Sequence, residues 1–282
     1  PLLLIVVSAL IFSTGGLFVR NLHDNDAWTT VFWRSVSAVI SLAVVLAVRE
    51  GSGAWRSVRT MGWPGVRVGI SFSVSSITLV AALTRTSVAV ALVIMALTPL
   101  VVAILTRIFL GEAVRGYTWT AIALTVVGVA YMVSGPGATT TAVGVLISLA
   151  VPVAFAAGTV LIRRHPEIGM IPAMLLACAI SAVVSWPLAD PLAVDRHDLI
   201  LLCLFGSAQL GLGLALFAVG AAGAPATEAS LLAMLEPVTG PIWVWVFNDE
   251  YPGMAAIIGG LIVFVTLAAH TLYAANRVPR HP

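Results

Sequence analysis

Lysine is absent from this sequence of 282 residues, and all 14 basic side chains are arginines. A P-loop, a Schiff-base lysine and a lysine general base are therefore excluded, and with them ATP-driven pumping by this chain alone. Charge of either sign is scarce, since 9% of the residues are charged and 60% are hydrophobic, whereas a soluble domain has about 25% charged residues. So few charges cannot cover the surface of a soluble protein. The sequence therefore predicts an integral membrane protein.

The sequence also lacks the residue patterns of a membrane-embedded enzyme. Its two cysteines, Cys178 and Cys203, lie in apolar runs, where a thiol usually behaves as a small hydrophobic side chain. Neither a HExxH nor a GxSxG motif occurs, and the five histidines fall in loops, in the tail or near a helix end, so that no two share a helix face. We therefore expect no enzyme activity, no cofactor and no metal ion.

Long apolar runs, in contrast, dominate the sequence. A helix that crosses a bilayer needs about 17–25 predominantly apolar residues, and dividing the chain at its charge and turn clusters gives ten runs of about this length. The sequence therefore predicts an all-α membrane protein with ten transmembrane helices and short connections. The predicted spans, numbered one to ten, are Leu2 to Val19, Ala27 to Val48, Val68 to Leu83, Val88 to Thr106, Tyr117 to Val133, Ala142 to Ile162, Ile168 to Ala189, Leu199 to Val219, Ala226 to Phe247, and Met254 to Tyr273.

The distribution of arginine predicts the orientation of these spans. Positive residues in short loops are retained in the cytoplasm. Ten of the 14 arginines fall on the side that both termini share, whereas Arg20, Arg85 and Arg196 fall on the other side. The longest connection, Arg49 to Arg67, lies on the arginine-rich side and carries two tryptophans, which is typical of a loop at the lipid headgroups. We therefore expect both termini to be cytoplasmic.

Two blocks of the chain repeat in the same order. A shift of 138 positions aligns residues of spans four and nine, and a shift of 144 positions aligns residues of spans two and seven. A Ser-Gly-Pro-Gly segment at 134–137 has the composition of a linker. We therefore expect two units of five spans each, residues 1–135 and 140–275. The aligned residues are Ala91 with Ala229, Leu97 with Leu235, Pro99 with Pro237, Phe109 with Phe247, Glu112 with Glu250, and Ser37 to Ser41 with Ser181 to Ser185.

An odd number of spans in each unit inverts the second unit relative to the first. Inverted repeats form two similar bundles related by an axis in the membrane plane, which gives inward-open and outward-open states of similar energy. This architecture is typical of secondary transporters. The alternative is a duplicated membrane scaffold that transports nothing.

The repeated blocks also carry a family resemblance. The segment ALVIMALTP at 91–99, followed by LGE at 110–112, and the segment SLLAMLEP at 230–237, followed by NDE at 248–250, resemble the signature of the drug/metabolite transporter superfamily. Within it, the chain is similar to the ten-helix EamA-type exporters, and more narrowly to exporters of aromatic amino acids. The resemblance implies a bacterial inner-membrane protein, monomeric or homodimeric. It also implies a central path between spans one to four and six to nine, with spans five and ten as outer supports.

Ionisable side chains inside the predicted spans are the first candidates for a substrate site. Such residues are costly in a bilayer and usually face the protein interior or a water-filled cavity. Arg34 is about 10 Å below the outer surface and Glu236 is about 15 Å from the inner one, so their levels differ by about 5 Å. We expect them to pair, either directly or through the ammonium and carboxylate of a bound amino acid. A purely structural ion pair is the alternative.

Uncharged polar and aromatic residues complete the predicted substrate site. Hydroxyl groups at positions i, i+4 and i+7 of span three share one helix face, where they either line a polar path or allow close helix packing. Aromatic side chains deep in the spans either line an apolar substrate cavity or pack in the core. The candidates are Ser71, Ser75, Thr78 and Gln209 among polar residues, and Trp33, Phe155 and Trp243 among aromatic ones.

Prolines near the middle of spans four, six and nine are candidate hinges. A proline inside a helix has no N–H group and clashes with the carbonyl four residues before it, so the helix bends there. We expect Pro99, Pro152 and Pro237 to act as hinges, and static kinks are the alternative.

The sequence as a whole indicates an alternating-access exporter of small metabolites. Aromatic and other apolar amino acids are the expected substrates, and the expected partners are such a small molecule and the lipid bilayer, with no nucleic acid. A channel or facilitator for small polar solutes, and a membrane protein without transport activity, are the alternatives.

Overall fold

The computed structural model describes residues 1–23, 26–83, 94–95, 97–132, 142–166, 169–249 and 253–277. Every regular element within these residues is helical, and the helices follow the order of the ten predicted spans, whose numbers are kept here. Spans one to five comprise Leu2–Ser13 with Gly15–Arg20, Ala27–Glu50, Gly62–Leu83, Thr98–Phe109 and Gly116–Met132. Spans six to ten comprise Ala142–Arg164, Ile171–Ser185, Arg196–Ala222, Ala226–Ala233 with Leu235–Asn248, and Gly253–Arg277. Most of the predicted first half of span four lies outside the described residues.

The surface of the helix bundle is apolar. Six of the described helical segments are long and apolar enough to cross a membrane, and three further ones are apolar but shorter. Large apolar side chains such as Val48, Val183 and Leu272 point outward and are mostly exposed. An exterior of this kind is stable when lipid chains cover it, because a helix pairs most of its backbone polar groups within itself.

Aspartate side chains fix the starts of two spans. Asp26 precedes span two, and its Oδ2 accepts a hydrogen bond from the Thr29 N–H at 2.7 Å. Asp195 precedes span eight, and its Oδ1 accepts from the Asp198 N–H at 2.7 Å. Each carboxylate thus satisfies a backbone N–H group that has no partner inside the helix.

The expected loop from Arg49 to Arg67 is instead largely helical. Span two continues to Glu50, a short helix covers Ala54–Thr60, and span three begins at Gly62, six residues before the predicted start. Gly62 has a φ of +53°, a backbone conformation that glycine adopts without strain. Trp63 is 62% exposed and lies 5.6 Å from the guanidinium of Arg67, which suits a position at the headgroup level.

Contacts between the spans follow a two-fold pattern. Three pairs of equivalent spans contact each other, namely two with seven, four with nine and five with ten. The remaining major contacts come in equivalent pairs. The contact of span three with span six corresponds to that of span eight with span one, and the contact of two with eight corresponds to that of seven with three. In the same way, the contact of four with six corresponds to that of nine with one. This is the pattern that two halves related by a two-fold axis must produce.

The centre of the bundle is tightly packed between these spans. Ile5, Leu42, Ile162 and Met174 are fully buried and belong to one hydrophobic cluster. Next to them, three phenylalanines contact each other with ring centroids 5.1, 5.5 and 6.0 Å apart; they are Phe72 of span three, Phe155 of span six and Phe217 of span eight. The aromatic cluster lies at the edge of the cavity that contains the candidate site.

Candidate functional site in the central cavity

A cavity of about 180 Å³ lies between spans one to four and six to nine. Its described lining contains no residue of spans five and ten, which pack against each other elsewhere. Most of the lining is apolar, and charge enters it from two side chains. The polar and aromatic residues of the lining are Ser8, Phe12, Arg34, Ser35, Phe72, Ser75, Ser76, Thr98, Phe155, Cys178, Ser181, Gln209, Phe217 and Glu236.

Arg34 provides the positive charge of the cavity. Its guanidinium lies 5.1 Å from the centroid of the Phe205 ring, and Nη2 donates a hydrogen bond to Ser76 Oγ at 3.5 Å. Its Nε is buried, and none of the described residues accepts a hydrogen bond from it. The aromatic face stabilises the cation, and unused donors remain for a ligand or for water.

Glu236 provides the negative charge, at a break in span nine. The first helix of this span ends at Ala233, and the second begins at Leu235. Glu236 therefore lies in the first turn of Leu235–Asn248, where the helix dipole stabilises negative charge. Pro237 follows, and since proline has no N–H group it is tolerated in a first helical turn.

Span four has the equivalent break. Leu97 precedes the helix Thr98–Phe109 with φ −75° and ψ −9°, as Met234 precedes Leu235–Asn248 with φ −69° and ψ −4°. The 138-position shift aligns Thr98 with Glu236, and both line the cavity. Two half-helices thus begin at the cavity, one from each half of the chain.

Arg34 and Glu236 do not form the direct ion pair that was one of the two expected arrangements. Both residues are described, and no nitrogen of Arg34 lies within ion-pair distance of a Glu236 oxygen among the described contacts. They are close enough to interact electrostatically across the cavity. Their separation leaves the second arrangement, in which a ligand bridges them, as the remaining prediction.

Gln209 lies on a π-helical segment, Phe205–Leu212, in the middle of span eight. Its Nε2 donates to the Phe12 carbonyl oxygen at 2.7 Å, whereas its Oε1 is buried and accepts from none of the described groups. The hydroxyl of Ser35, also in the cavity lining, is buried without a described partner as well. Buried polar groups are normally paired, so these two atoms favour a polar ligand or ordered water in the cavity.

Of the predicted substrate-site residues in spans three and six, two line the cavity and two do not. Ser75 and Phe155 line the cavity, and Ser75 Oγ donates to the Val151 carbonyl oxygen at 3.2 Å. The hydroxyl of Ser71 bonds to the carbonyl oxygen of Arg67 and that of Thr78 to those of Val74 and Ser75, so both serve the helix backbone.

The two candidate tryptophans lie away from the cavity lining. Trp33 Nε1 donates to the Pro191 carbonyl oxygen at 3.3 Å, and the ring packs beside Phe205 and Leu202. Trp243 Nε1 donates to Ser13 Oγ at 2.8 Å. Both rings join spans of different halves, and their predicted contact with substrate stays a prediction.

The three candidate hinges also differ in position. Pro99 and Pro237 lie in the first turns that follow the breaks of spans four and nine. Pro152 is buried within Ala142–Arg164, which runs through without a break. Bending at any of them stays a prediction.

Sequence reasoning missed several lining residues. Thr98 could have been found, because the repeat aligns it with Glu236. Ser181 belongs to the repeated block but is aligned with another serine, and Ser35 carried no such signal. Small hydroxyl residues are common in packed membrane helices. It also missed a group outside the cavity, where His23 meets Asp195, His197 and Asp198 from a distant part of the sequence.

Comparison with known proteins identifies the kind of fold that holds this cavity. A model of the EamA-like transporter family matches residues 1–134 and 142–271. Among solved structures, 29 chains match, and one described only as "Crystal structure of protein" superposes with a TM-score of 0.83 at 18% identity, covering 98% of each chain. No curated protein matches. These findings confirm the predicted fold class, an all-α membrane protein with ten transmembrane helices in two inverted five-helix repeats.

Proposed function

Because this chain belongs to the EamA-like transporter family, we propose that it exports small zwitterionic metabolites with an apolar group, such as aromatic amino acids, by alternating access. The family makes it a multi-pass membrane transporter of the drug/metabolite type. The substrate class, the direction and the mechanism are inferred from the cavity and the repeat.

One observation carries the substrate class: two opposite charges line one apolar cavity without pairing with each other. A buried charge without a partner is costly. A free amino acid supplies a carboxylate for Arg34 and an ammonium group for Glu236, and each contact is a charge-assisted hydrogen bond. This contact needs the ionised form of Glu236, and the helix dipole at Leu235 contributes to its stability.

The apolar part of the substrate is argued from the other walls. Phe72, Phe155 and Phe217 present a cluster of rings at the cavity. Aromatic rings favour offset or edge-to-face contact with a further ring. An aromatic or bulky aliphatic side chain therefore fits this wall better than a polar one.

The mechanism is argued from the two half-helices. Both Thr98–Phe109 and Leu235–Asn248 begin at the cavity, and interrupted helices of this kind surround substrate sites in transporters built from inverted repeats. We take the units 1–135 and 140–275 as the two repeats, in a bacterial inner membrane with both termini cytoplasmic. A monomer contains the whole cavity, so neither a monomer nor a homodimer conflicts with this mechanism.

Counterflow in liposomes that contain only this protein tests the proposal. Vesicles loaded with unlabelled L-phenylalanine should accumulate labelled L-phenylalanine transiently and with saturation, whereas a channel would show no counterflow. Arg34→Gln and Glu236→Gln should each weaken binding about 10- to 100-fold, because a hydrogen bond to a charged group contributes about 1.5–3 kcal/mol. The exposed Arg107 offers a matched control, and Arg107→Gln should bind as the parent does.

Truncated ligands show which charge each residue recognises. Phenethylamine lacks the carboxylate, so Arg34→Gln should not weaken its binding further. Likewise, 3-phenylpropionate lacks the ammonium group, so Glu236→Gln should not weaken its binding further. Equal losses for all three ligands in both variants would contradict a bridging substrate, and melting temperatures of the variants would then report a structural role.

A further inference from the structure

Two histidines and two aspartates from different halves of the chain meet at one end of the bundle. His23 follows span one, whereas Asp195, His197 and Asp198 lie at the start of span eight. One ligand atom of each side chain lies within 4.8 Å of all the others. The His23 and His197 rings are stacked with centroids 4.5 Å apart. This cluster lies outside the substrate cavity and has no part in the proposed transport site.

The distances within the cluster are those of hydrogen-bonded side chains and lie close to the ligand separations of a compact coordination shell. His23 Nδ1 lies 3.0 Å from Asp195 Oδ2 and 3.7 Å from Asp198 Oδ1, and His197 Nδ1 lies 3.0 Å from Asp198 Oδ1. Tetrahedral ligands at about 2.0–2.2 Å from a zinc ion are separated by about 3.3–3.6 Å from each other. Small side-chain movements would therefore bring all four ligands into coordination distance.

The backbone already orients both carboxylates. Asp195 uses Oδ1 to cap the helix that begins at Arg196, which leaves Oδ2 for His23. The His23 backbone N–H donates to both oxygens of Asp198 at 3.1 Å. Hydrogen bonds of this kind hold metal ligands in place in metal sites.

Access and charge also suit a cation. The side chains of His23, Asp195 and His197 are 68%, 53% and 52% exposed, whereas that of Asp198 is 5% exposed. The carboxylate oxygens of Asp195 and Asp198 lie 3.0 and 3.7 Å from His23 Nδ1, so negative charge is concentrated at this place. Two carboxylates balance the charge of one divalent ion.

We propose that His23, Asp195, His197 and Asp198 form a binding site for one divalent transition-metal ion of the zinc type. Two imidazole ligands favour such ions over Mg²⁺ and Ca²⁺, which prefer oxygen ligands. The ion would join the loop after span one to the start of span eight. It would thereby link the two halves of the chain at the end of the bundle opposite the N-terminus.

Calorimetric titration of the tag-free, chelator-treated full chain with zinc chloride tests this site. We expect one ion per chain, and a melting temperature that rises by several degrees with zinc and falls again with EDTA. Cobalt substitution should give the strong visible absorption of a four-coordinate ion.

Two variants test the ligands, and a third is the control. Asp195→Asn keeps a capping oxygen but loses the charged ligand, and His23→Gln leaves the backbone N–H contact with Asp198 in place. Each should weaken zinc binding at least about tenfold, which is within the range found when metal sites lose supporting groups. In EDTA, the melting temperature of each variant should stay close to that of the parent. His165→Gln, at a histidine outside the cluster, should bind zinc as the parent does. A folded parent that binds no zinc, or unchanged binding in the first two variants, would overturn the proposal.

Discussion

At the scale of single residues, the position of Arg34 depends on a glycine in another helix. A Cβ at Gly206 would overlap the carbonyl oxygen of Arg34 and would lie 2.6 Å from Ser37 Cβ. Gly211 lies one turn further along the π-helical segment, and a Cβ there would overlap Ser41 Oγ. Spans two and eight therefore approach each other closely through glycines, next to the residue whose guanidinium lines the cavity.

Gly206→Ala should disturb both stability and substrate binding. The added methyl group meets backbone, which cannot rotate away, so the free energy of unfolding should fall by about 1–3 kcal/mol. Thermal melting in detergent and ligand titration measure the two effects. Gly116→Ala is the matched control, because a Cβ there meets nothing within 4 Å. A Gly206→Ala protein that melts and binds like the control would show that this contact does not position Arg34.

The cost of burying charge made part of the site predictable from sequence. Arg34 and Glu236 stood out because a bilayer tolerates such residues only for a reason, and both line the cavity. The hydroxyl stripe of span three was less informative. Ser71 and Thr78 bond to carbonyl oxygens of their own helix, and helix spacing alone cannot distinguish that arrangement from a polar path.

At the scale of helices, the breaks in spans four and nine are the features that bring the site together. Each break exposes a helix start to the cavity and is followed by a proline, Pro99 or Pro237. The sequence predicted these prolines as hinges but treated both spans as continuous helices. Periodicity cannot reveal such a break, because the apolar run continues on both sides of it. The π-helical segment of span eight escaped prediction for the same reason.

Pro237→Ala should slow transport more than it weakens binding. Alanine supplies the missing N–H group and removes the ring clash, which favours a continuous helix by up to about 3 kcal/mol, or about a hundredfold in population. Counterflow rate and ligand affinity, measured on the same preparation, separate the two effects. Pro152→Ala is the comparison, since Pro152 lies in an unbroken helix. Parental rates in Pro237→Ala would indicate that the break is a fixed feature of the fold.

At the scale of the whole molecule, the number and order of the spans were predictable because the bilayer sets a minimum apolar length. The residues at which the spans begin and end were less predictable. The expected loop at 49–67 is mostly helical, because a tryptophan- and arginine-rich segment at the headgroups is equally suited to a short surface helix. The contacts between spans two and eight and between spans seven and three required the structure, because helix partners are chosen by small residues that are common throughout the chain.

Single cysteines test the orientation of the whole molecule. In a background without the buried Cys178 and the exposed Cys203, Leu192→Cys should react with an impermeant maleimide added outside intact cells, and Arg56→Cys should react only after the membrane is permeabilised. Leu192 is 96% exposed, so its reactivity is not limited by packing. The reverse labelling pattern would place both termini outside and contradict the arginine argument.

The two-fold arrangement of the spans has an electrical consequence at the cavity. The two sequence shifts align Arg34 with Cys178 and Glu236 with Thr98, and all four residues line the cavity. An antiparallel pair of identical chains would repeat every charge at the opposite depth, so its dipole along the membrane normal would cancel. Joining both halves in one chain lets each position differ from its counterpart, and here the cation belongs to one half and the anion to the other. The cavity therefore has an uneven distribution of charge that two identical half-length chains could not form.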